Sequence, residues 1–328
     1  MEVILTKIDE ARKLLSRSIN FKNESTEKLR VQDSLDRVSS KTIKSKFNLP
    51  QTKNSAVDGF AISFKDILNN EKQRFDIIGM AKAGHPFLNK VSKNQTVEIY
   101  TGAIMPKGLD CVVMHENTER IDDHILIKKV PKKGLNVRPA GENVKINEII
   151  ITKGKKINSP DIGQLAASGN NEIEVFKKLN VSIFSTGDEV IDSSGKLEKG
   201  QIFDANRPML FSMLNNKTLN LIDEGIVEDK LSLLTKKYEN CLQSSDVVIS
   251  SGGASDGIED HTQKALKNIG AKLIFWQLSI KPGKPMAIAK HNKTLIFCLP
   301  GNPVAAYVCT QLLIKPAIEK LSGSNLKK

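Results

Sequence analysis

The residues with the most chemical potential lie in loops of the C-terminal half. Ser250-Ser-Gly-Gly-Ala-Ser-Asp-Gly257 sets glycines and serines ahead of an expected helix, with Glu259 and Asp260 directly after. Glycine lets backbone approach an anion closely, and N–H groups at a helix start favour phosphate. The loop is neither a Walker A loop nor a GxGxxG fingerprint, and a structural glycine-rich turn reads equally well. Glu259 and Asp260 are hard oxygen donors of the kind Mg2+ takes beside phosphate, or acids complementing a helix dipole. Lys281-Pro-Gly-Lys284-Pro fixes two ammonium groups on a stiff turn, suited to an oxyanion or a phosphate, or simply solvated. Ser185-Thr-Gly-Asp-Glu189 and Leu299-Pro-Gly-Asn-Pro-Val304 are two more such loops; the second also reads as a capped strand-to-helix connection. Earlier in the chain, Asn54-Ser-Ala-Val-Asp-Gly-Phe60 and Glu98-Ile-Tyr-Thr-Gly-Ala103 carry polar groups in turn contexts, which ordinary turn chemistry also explains.

These loops need elements to position them. Apolar residues at helical spacing predict a first helix over 3–15, and a second short one over 25–36 ending near Arg37. From about 38 to 150 the chain breaks into short apolar runs separated by Gly, Pro and Asn, including Phe75–Gly79, Thr96–Tyr100, Cys111–Met114 and His124–Ile127. That pattern predicts a small, mostly β domain. Beyond Ser159-Pro160, which starts a helix, strands and helices alternate. Strands are expected at Val181–Phe184, Leu219–Val227, Asp246–Ile249 and 272–278, with helices at 206–219, 229–243 and 259–268. A hairpin around His291-Asn292-Lys293 and a helix from Asn302, kinked at Pro316, follow. The order predicts an α/β fold with a doubly wound, mostly parallel sheet, whose ligands bind beyond the carboxyl ends of the strands. The loops after residues 184, 249 and 299 fall at those ends.

Composition narrows the function classes. At 328 residues, 39% apolar and 26% charged, the sequence fits about two globular domains. No apolar run approaches the roughly 18 residues of a membrane span, and the N-terminus lacks a signal-peptide core, so a cytoplasmic protein without membrane attachment is expected. Cys111, Cys241, Cys298 and Cys309 are scattered, which argues against zinc and disulfide frameworks. The net charge is +12, but only 8 of the 49 basic residues are Arg and aromatics are 5%, so nucleic acid is not the expected partner. A positive field suits a smaller anionic substrate.

Eight stretches together resemble one family, the molybdopterin molybdenumtransferases of the MoeA type, related to the E domain of gephyrin. They are Asn54–Ala61, Tyr100–Pro106, Ala140-Gly-Glu142, Ser185–Glu189, Gln201-Ile-Phe-Asp-Ala-Asn206, Ser251–Ser255, Lys281–Pro285 and Leu299–Pro303, in the family's order across nearly the whole chain. The resemblance implies an Mg2+-dependent transferase that inserts molybdate into adenylated molybdopterin and releases molybdenum cofactor and AMP. It implies active-site roles for Asp58, Thr101 and Glu189. Substrate contacts would come from Asp229, Ser250, Ser251, Gly252, Gly253, Ser255, Asp260, Lys281, Lys284, Pro300, Gly301 and Asn302, with Glu189 and Asp260 on the metal. It also implies a homodimer with a cleft shared between subunits, and dealings with a molybdopterin adenylyltransferase and molybdoenzyme chaperones. On this pattern, 1–45 with 140–178 form a helical and linker domain, 46–139 a small β domain, 179–323 a molybdopterin-binding α/β domain, and 324–328 a polar tail.

Departures from the family pattern are Asn143 and Gln277, where an acid and a lysine are usual, and Asp256 in place of a small apolar residue. Family chains continue into a small C-terminal β domain beyond the residues here, so this sequence reads as a natural short form, a chain whose partner supplies that domain, or a fragment. Two other functions compete with the transferase: a pterin-nucleotide binding scaffold without turnover, and a molybdopterin adenylyltransferase, which the α/β region also resembles.

Overall fold

The computed structural model describes residues 5–19, 25–70, 72–252 and 261–325. The chain divides into two compact units, one drawn from 1–42, 151–162 and 172–328, the other from 43–150 and 163–171.

The first unit is built on a six-stranded sheet. Its strands run in the order Leu219–Val227, Leu179–Thr186, Val247–Ser251, Thr294–Leu299, Ala287–His291 and Lys272–Trp276. The first four run parallel to one another and the last two each pair antiparallel with the strand before, so the largely parallel sheet expected from the alternating pattern is present. Parallel strands are buried on both faces, hence their near-continuous apolar runs. Along them, side chains alternate between two cores. Val181, Ile183, Val247, Ile249 and Phe297 meet the helices Asn206–Leu214, Pro303–Cys309 and Lys315–Leu321. Phe184, Val248, Ile296 and Cys298 meet Leu231–Leu242 and His261–Asn268 on the other face. Each such large side chain stabilises the unit by about 1.5–3 kcal/mol relative to exposure. From the 179–186 strand the sheet grows both ways, toward 219–227 on one side and 247–251 on the other. That divergence is a topological switch point, where loops splay apart and leave room for a ligand.

One sequence expectation needs revision here. Residues 26–30 form a strand, not a helix, paired antiparallel with Glu172–Phe176 from Thr26↔Phe176 to Arg30↔Glu172. The segment holds too few apolar residues to make a helical stripe, and pairing puts Leu29 opposite the buried Ile173. Buried Arg37 braces the turn that follows, donating to Glu27 at 2.6 Å and to the Phe176 carbonyl at 2.8 Å. Just before Pro316 the last helix is interrupted. Between Pro303–Cys309 and Lys315–Leu321 the helix passes through a π-helical stretch, Thr310–Ile314. Pro316 has no N–H for the carbonyl four residues back, and a wider turn just before it accommodates the ring.

The second unit carries a six-stranded sheet ordered Cys111–Met114, Gly59–Ile62, Gln95–Ile99, Arg74–Ala81, His124–Ile127, Thr118–Ile121. Only the Arg74–Ala81 and Gln95–Ile99 pair is parallel. Phe60, Ile62, Phe75 and Ile125 fill one face, and Ala61, Val97, Ile99 and Val112 the other. At Gly59 a Cβ would lie 2.1 Å from the Val113 carbonyl oxygen, so only glycine lets these two strands pair this closely.

All four cysteines are buried, and no disulfide joins the described residues. Burial pushes the thiols of Cys111 and Cys309 up to about 12 and that of Cys241 to about 11, which leaves them inert. Among the described residues no helix is long and apolar enough to cross a membrane.

Candidate functional site

The carboxyl edge of the α/β sheet brings together three of the loops singled out by residue type. Gly252 adopts φ +95°, and its N–H donates to the Leu299 carbonyl at 3.1 Å. A Cβ there would lie 2.0 Å from the Thr186 carbonyl oxygen, and one on Gly301 would lie 3.8 Å from the Gly252 Cα. The chain after strand 179–186, the serine-glycine loop and the Leu299–Val304 loop are thus stacked backbone on backbone. Asn206 pins the stack. Its Nδ2 donates to Ser251 Oγ at 2.6 Å and to the Gly301 carbonyl at 2.8 Å. Among the described residues, its Oδ1 and the Thr186 Oγ1 are buried without a hydrogen-bond partner.

Beneath Asn206 lies Asp204, nearly fully buried, which accepts from Ser185 Oγ at 3.0 Å and from the N–H groups of Asn206 and Arg207 at 3.1 Å. Asn206, Asp204 and Arg207 were not singled out by sequence reasoning, although Gln201–Asn206 lay within a matching stretch. The available signal was an acid three residues before an arginine at a helix start, in a chain with few arginines.

Several proposed contacts are backbone or structural in character. Ser250 is fully buried, and its hydroxyl is committed to Tyr238 at 2.8 Å inside the core. The Asn302 side chain caps the following helix by accepting from the Ala305 N–H at 3.1 Å. Ser251 Oγ also reaches the Pro300 carbonyl at 3.4 Å. Gly253, Ser255 and Asp260 lie outside the described residues.

Lys281 and Lys284 are exposed and line a cleft of about 620 Å³ with Pro282, Pro285, Pro300, Gly301 and Asn302. The cleft shares Gly301 with the glycine stack, so the cationic turn and the glycine loops border one continuous surface. Gly283 lets this turn dip against the core; it has φ +124°, and a Cβ there would approach Cys309 Sγ to 3.0 Å. Gln277, where the family pattern has lysine, is buried at the start of this loop, its N–H bonded to the Met286 carbonyl at 2.9 Å.

Acids gather on the neighbouring loop. Asp188 Oδ1 accepts from the Asp229 N–H at 3.0 Å. The Asp229 carbonyl meets His261 Nδ1 at 2.7 Å, while its Oδ1, 3.4 Å from the same nitrogen, is buried without a hydrogen-bond partner among the described residues. Glu189 is exposed, and its carboxylate folds over Gly187, where a Cβ would lie 2.7 Å from Oε2. No group of three or more His, Cys, Asp or Glu among the described residues is arranged to hold a metal. Mg2+ does not require one, since it usually takes one or two carboxylates and completes its shell with water and phosphate. An orphaned carboxylate oxygen at Asp229 and the open carboxylate of Glu189 are donors of the right hardness for it.

In the other unit, Asp58 and Thr101 form a pair of their own. Both are exposed on turns, and Asp58 Oδ1 accepts from the Thr101 N–H at 2.7 Å and from its hydroxyl at 2.8 Å. The Thr101 N–H, then its hydroxyl, lower the Asp58 carboxyl below the usual range, with a smaller effect from His115. Gly102, at φ +81°, turns the chain so that Thr101 can face Asp58; its N–H bonds the Ser55 carbonyl at 2.9 Å. Tyr100 is held above its usual value chiefly by Glu98.

Known proteins match both units. Residues 6–169 match the family model described as MoeA N-terminal region (domain I and II), and residues 182–320 match the probable molybdopterin binding domain. A molybdopterin molybdenumtransferase of Haemophilus influenzae is 34% identical over 317 residues, covering 96% of this chain and 78% of that protein. Gephyrin of Dictyostelium discoideum is 32% identical, covering 98% of this chain and 50% of its own length. A crystal structure of the molybdopterin biosynthesis MoeA protein from Pyrococcus horikoshii superposes with a TM-score of 0.85 at 28% identity, covering 98% of this chain and 81% of that one.

Proposed function

We propose, from the premise that the chain belongs to the molybdopterin molybdenumtransferase family of molybdenum-cofactor biosynthesis, that it inserts molybdate into adenylated molybdopterin and releases molybdenum cofactor and AMP. The observation that carries this reading is the glycine stack of Thr186, Gly252 and Gly301, bordered by the Lys281 and Lys284 cleft. In it, backbone bare of side chains lets a pyrophosphate approach closely, and two ammonium groups supply charge for an incoming oxyanion. Asn206 keeps the loops in register, so little reorganisation is needed when substrate binds.

In this reading Lys281 and Lys284 hold molybdate, the chain at 250–255 and 300–302 carries the nucleotide and pterin, and Asp58 with Thr101 supplies a carboxylate whose geometry is already set. Glu189 and Asp260 would hold Mg2+, with the Asp229 carboxylate as a further donor. When bound there, Mg2+ neutralises pyrophosphate charge and eases the departure of AMP. We propose a homodimer in the cytoplasm as the working form; light scattering of a monomer at assay concentration would contradict the dimer.

The reading is tested by cofactor transfer. Purified protein given adenylated molybdopterin, molybdate and Mg2+ should yield a product that activates a molybdenum-free apo-oxidoreductase. Failure to activate it, with substrate bound, would turn the reading toward a scaffold.

A further inference from the structure

Arg207 ties together three separate segments. Its Nη1 donates to Asp223 Oδ1 at 2.6 Å, its Nη2 to Asp192 at 2.6 Å, and its Nε to Asp204 at 3.0 Å. Burial alone would lower the guanidinium, but the three carboxylates outweigh it and raise it, so the charge is permanent. The guanidinium is about nine-tenths buried, while Asp192 and Asp223 are half exposed.

Besides this grip, the segment from Glu189 to Asp204 is held by a short parallel strand pair, Val190↔Ile202 and Ile191↔Phe203. Leu197, Ile202 and Phe203 are exposed and Val190 and Ile191 only half-buried, so apolar burial anchors it weakly. The pair is closed by backbone bonds that include Ile202 N–H to the Glu189 carbonyl at 2.8 Å and Asp204 N–H to the Ile191 carbonyl at 2.9 Å. Arg207 grips this closed segment at both ends, Asp192 near its start and Asp204 at its finish. Through Asp204 the same grip reaches Asn206 and the glycine stack.

We propose that Arg207 is a positioning residue: by clasping Asp192 and Asp204 it holds the Glu189 segment closed and sets the Glu189 carboxylate at the reaction edge. The clasp rests on the role assigned to Glu189 above. An isolated surface ion pair contributes little, whereas a forked arginine shared by three acids gains geometric control as well as charge.

Asp192→Asn tests it with little risk to folding. Asn keeps an acceptor for the Ser194 N–H and hydroxyl, which bond Asp192 at 3.0 and 2.8 Å, but loses the charge that grips Arg207. Amide hydrogen exchange at Ile202 and Asp204 should rise about tenfold, with exchange in the 206–214 helix unchanged. Turnover at saturating substrate should fall about tenfold while KM for adenylated molybdopterin stays within about twofold, and Asp192→Glu should recover most of both losses. Unchanged exchange in Asp192→Asn overturns the clasp, and faster exchange with unchanged turnover overturns the positioning role. If the native chain shows no turnover, the function reading fails instead, and the exchange data still decide the clasp.

Discussion

Asp58→Ala should lower molybdate-dependent AMP release by about 10²- to 10³-fold, the range expected when a positioned catalytic carboxylate or charge is removed. Its melting temperature should stay near that of the native chain. Asp58 lies on an exposed turn, so its removal costs chiefly two surface hydrogen bonds to Thr101. The pair is arranged for function more than for stability, because both bonds converge on one oxygen and leave the other open. Asp58→Asn separates charge from shape, since it retains an acceptor for Thr101; equal losses in both variants would assign the effect to charge. The lowered Asp58 value also fixes a pH dependence. A depressed carboxyl contributes stability that is present above its unfolded value near 4 and lost as pH falls through the lower folded value, so the Asp58–Thr101 turn should remain intact at pH 5. A native-like rate in Asp58→Ala would remove this residue from the reaction.

Gly252→Ala should be the most disruptive single-methyl change at the glycine stack. The residue combines φ +95° with a Cβ position 2.0 Å from the Thr186 carbonyl oxygen, and that oxygen is backbone, which cannot swing aside. Gly200 supplies a matched control at φ +94° with no atom within 4 Å of its Cβ position. The control should cost about 1 kcal/mol, the usual penalty for a side chain in the left-handed region. Gly252→Ala should cost about 3 kcal/mol or more, because the strand ends must also separate. Urea denaturation of the two variants reads the difference. Nucleotide binding should weaken in Gly252→Ala and persist in Gly200→Ala, because only the former parts the stack. Equal stability losses would mean that the close approach at Thr186 carries no weight.

The α/β sheet was largely legible in the sequence because its central strands are buried on both sides, and Val247–Ile249 and Leu295–Leu299 therefore read as unbroken apolar runs. The strand at Thr26–Arg30 was not, since what makes it a strand is Ile173 and its neighbours, far along the chain. The loops of the candidate site announced themselves through glycine, serine and lysine content. Asn206 and Arg207 did not, because their importance lies in which loops they join, and Asp192, Asp204 and Asp223 become one cluster only when the chain folds. Ser250 shows a different limit of residue type. Its place in a serine-glycine loop suggested a ligand contact, yet strand alternation turns its hydroxyl inward to Tyr238.

Single-turnover AMP release is the most direct measurement of what this chain does. Protein in excess over adenylated molybdopterin, with Mg2+ present, is mixed with and without molybdate. A burst of AMP that requires molybdate is the expected result, and it should disappear in Asp58→Ala. Substrate that binds tightly but releases no AMP with molybdate present would contradict the transferase and leave a binding protein in its place.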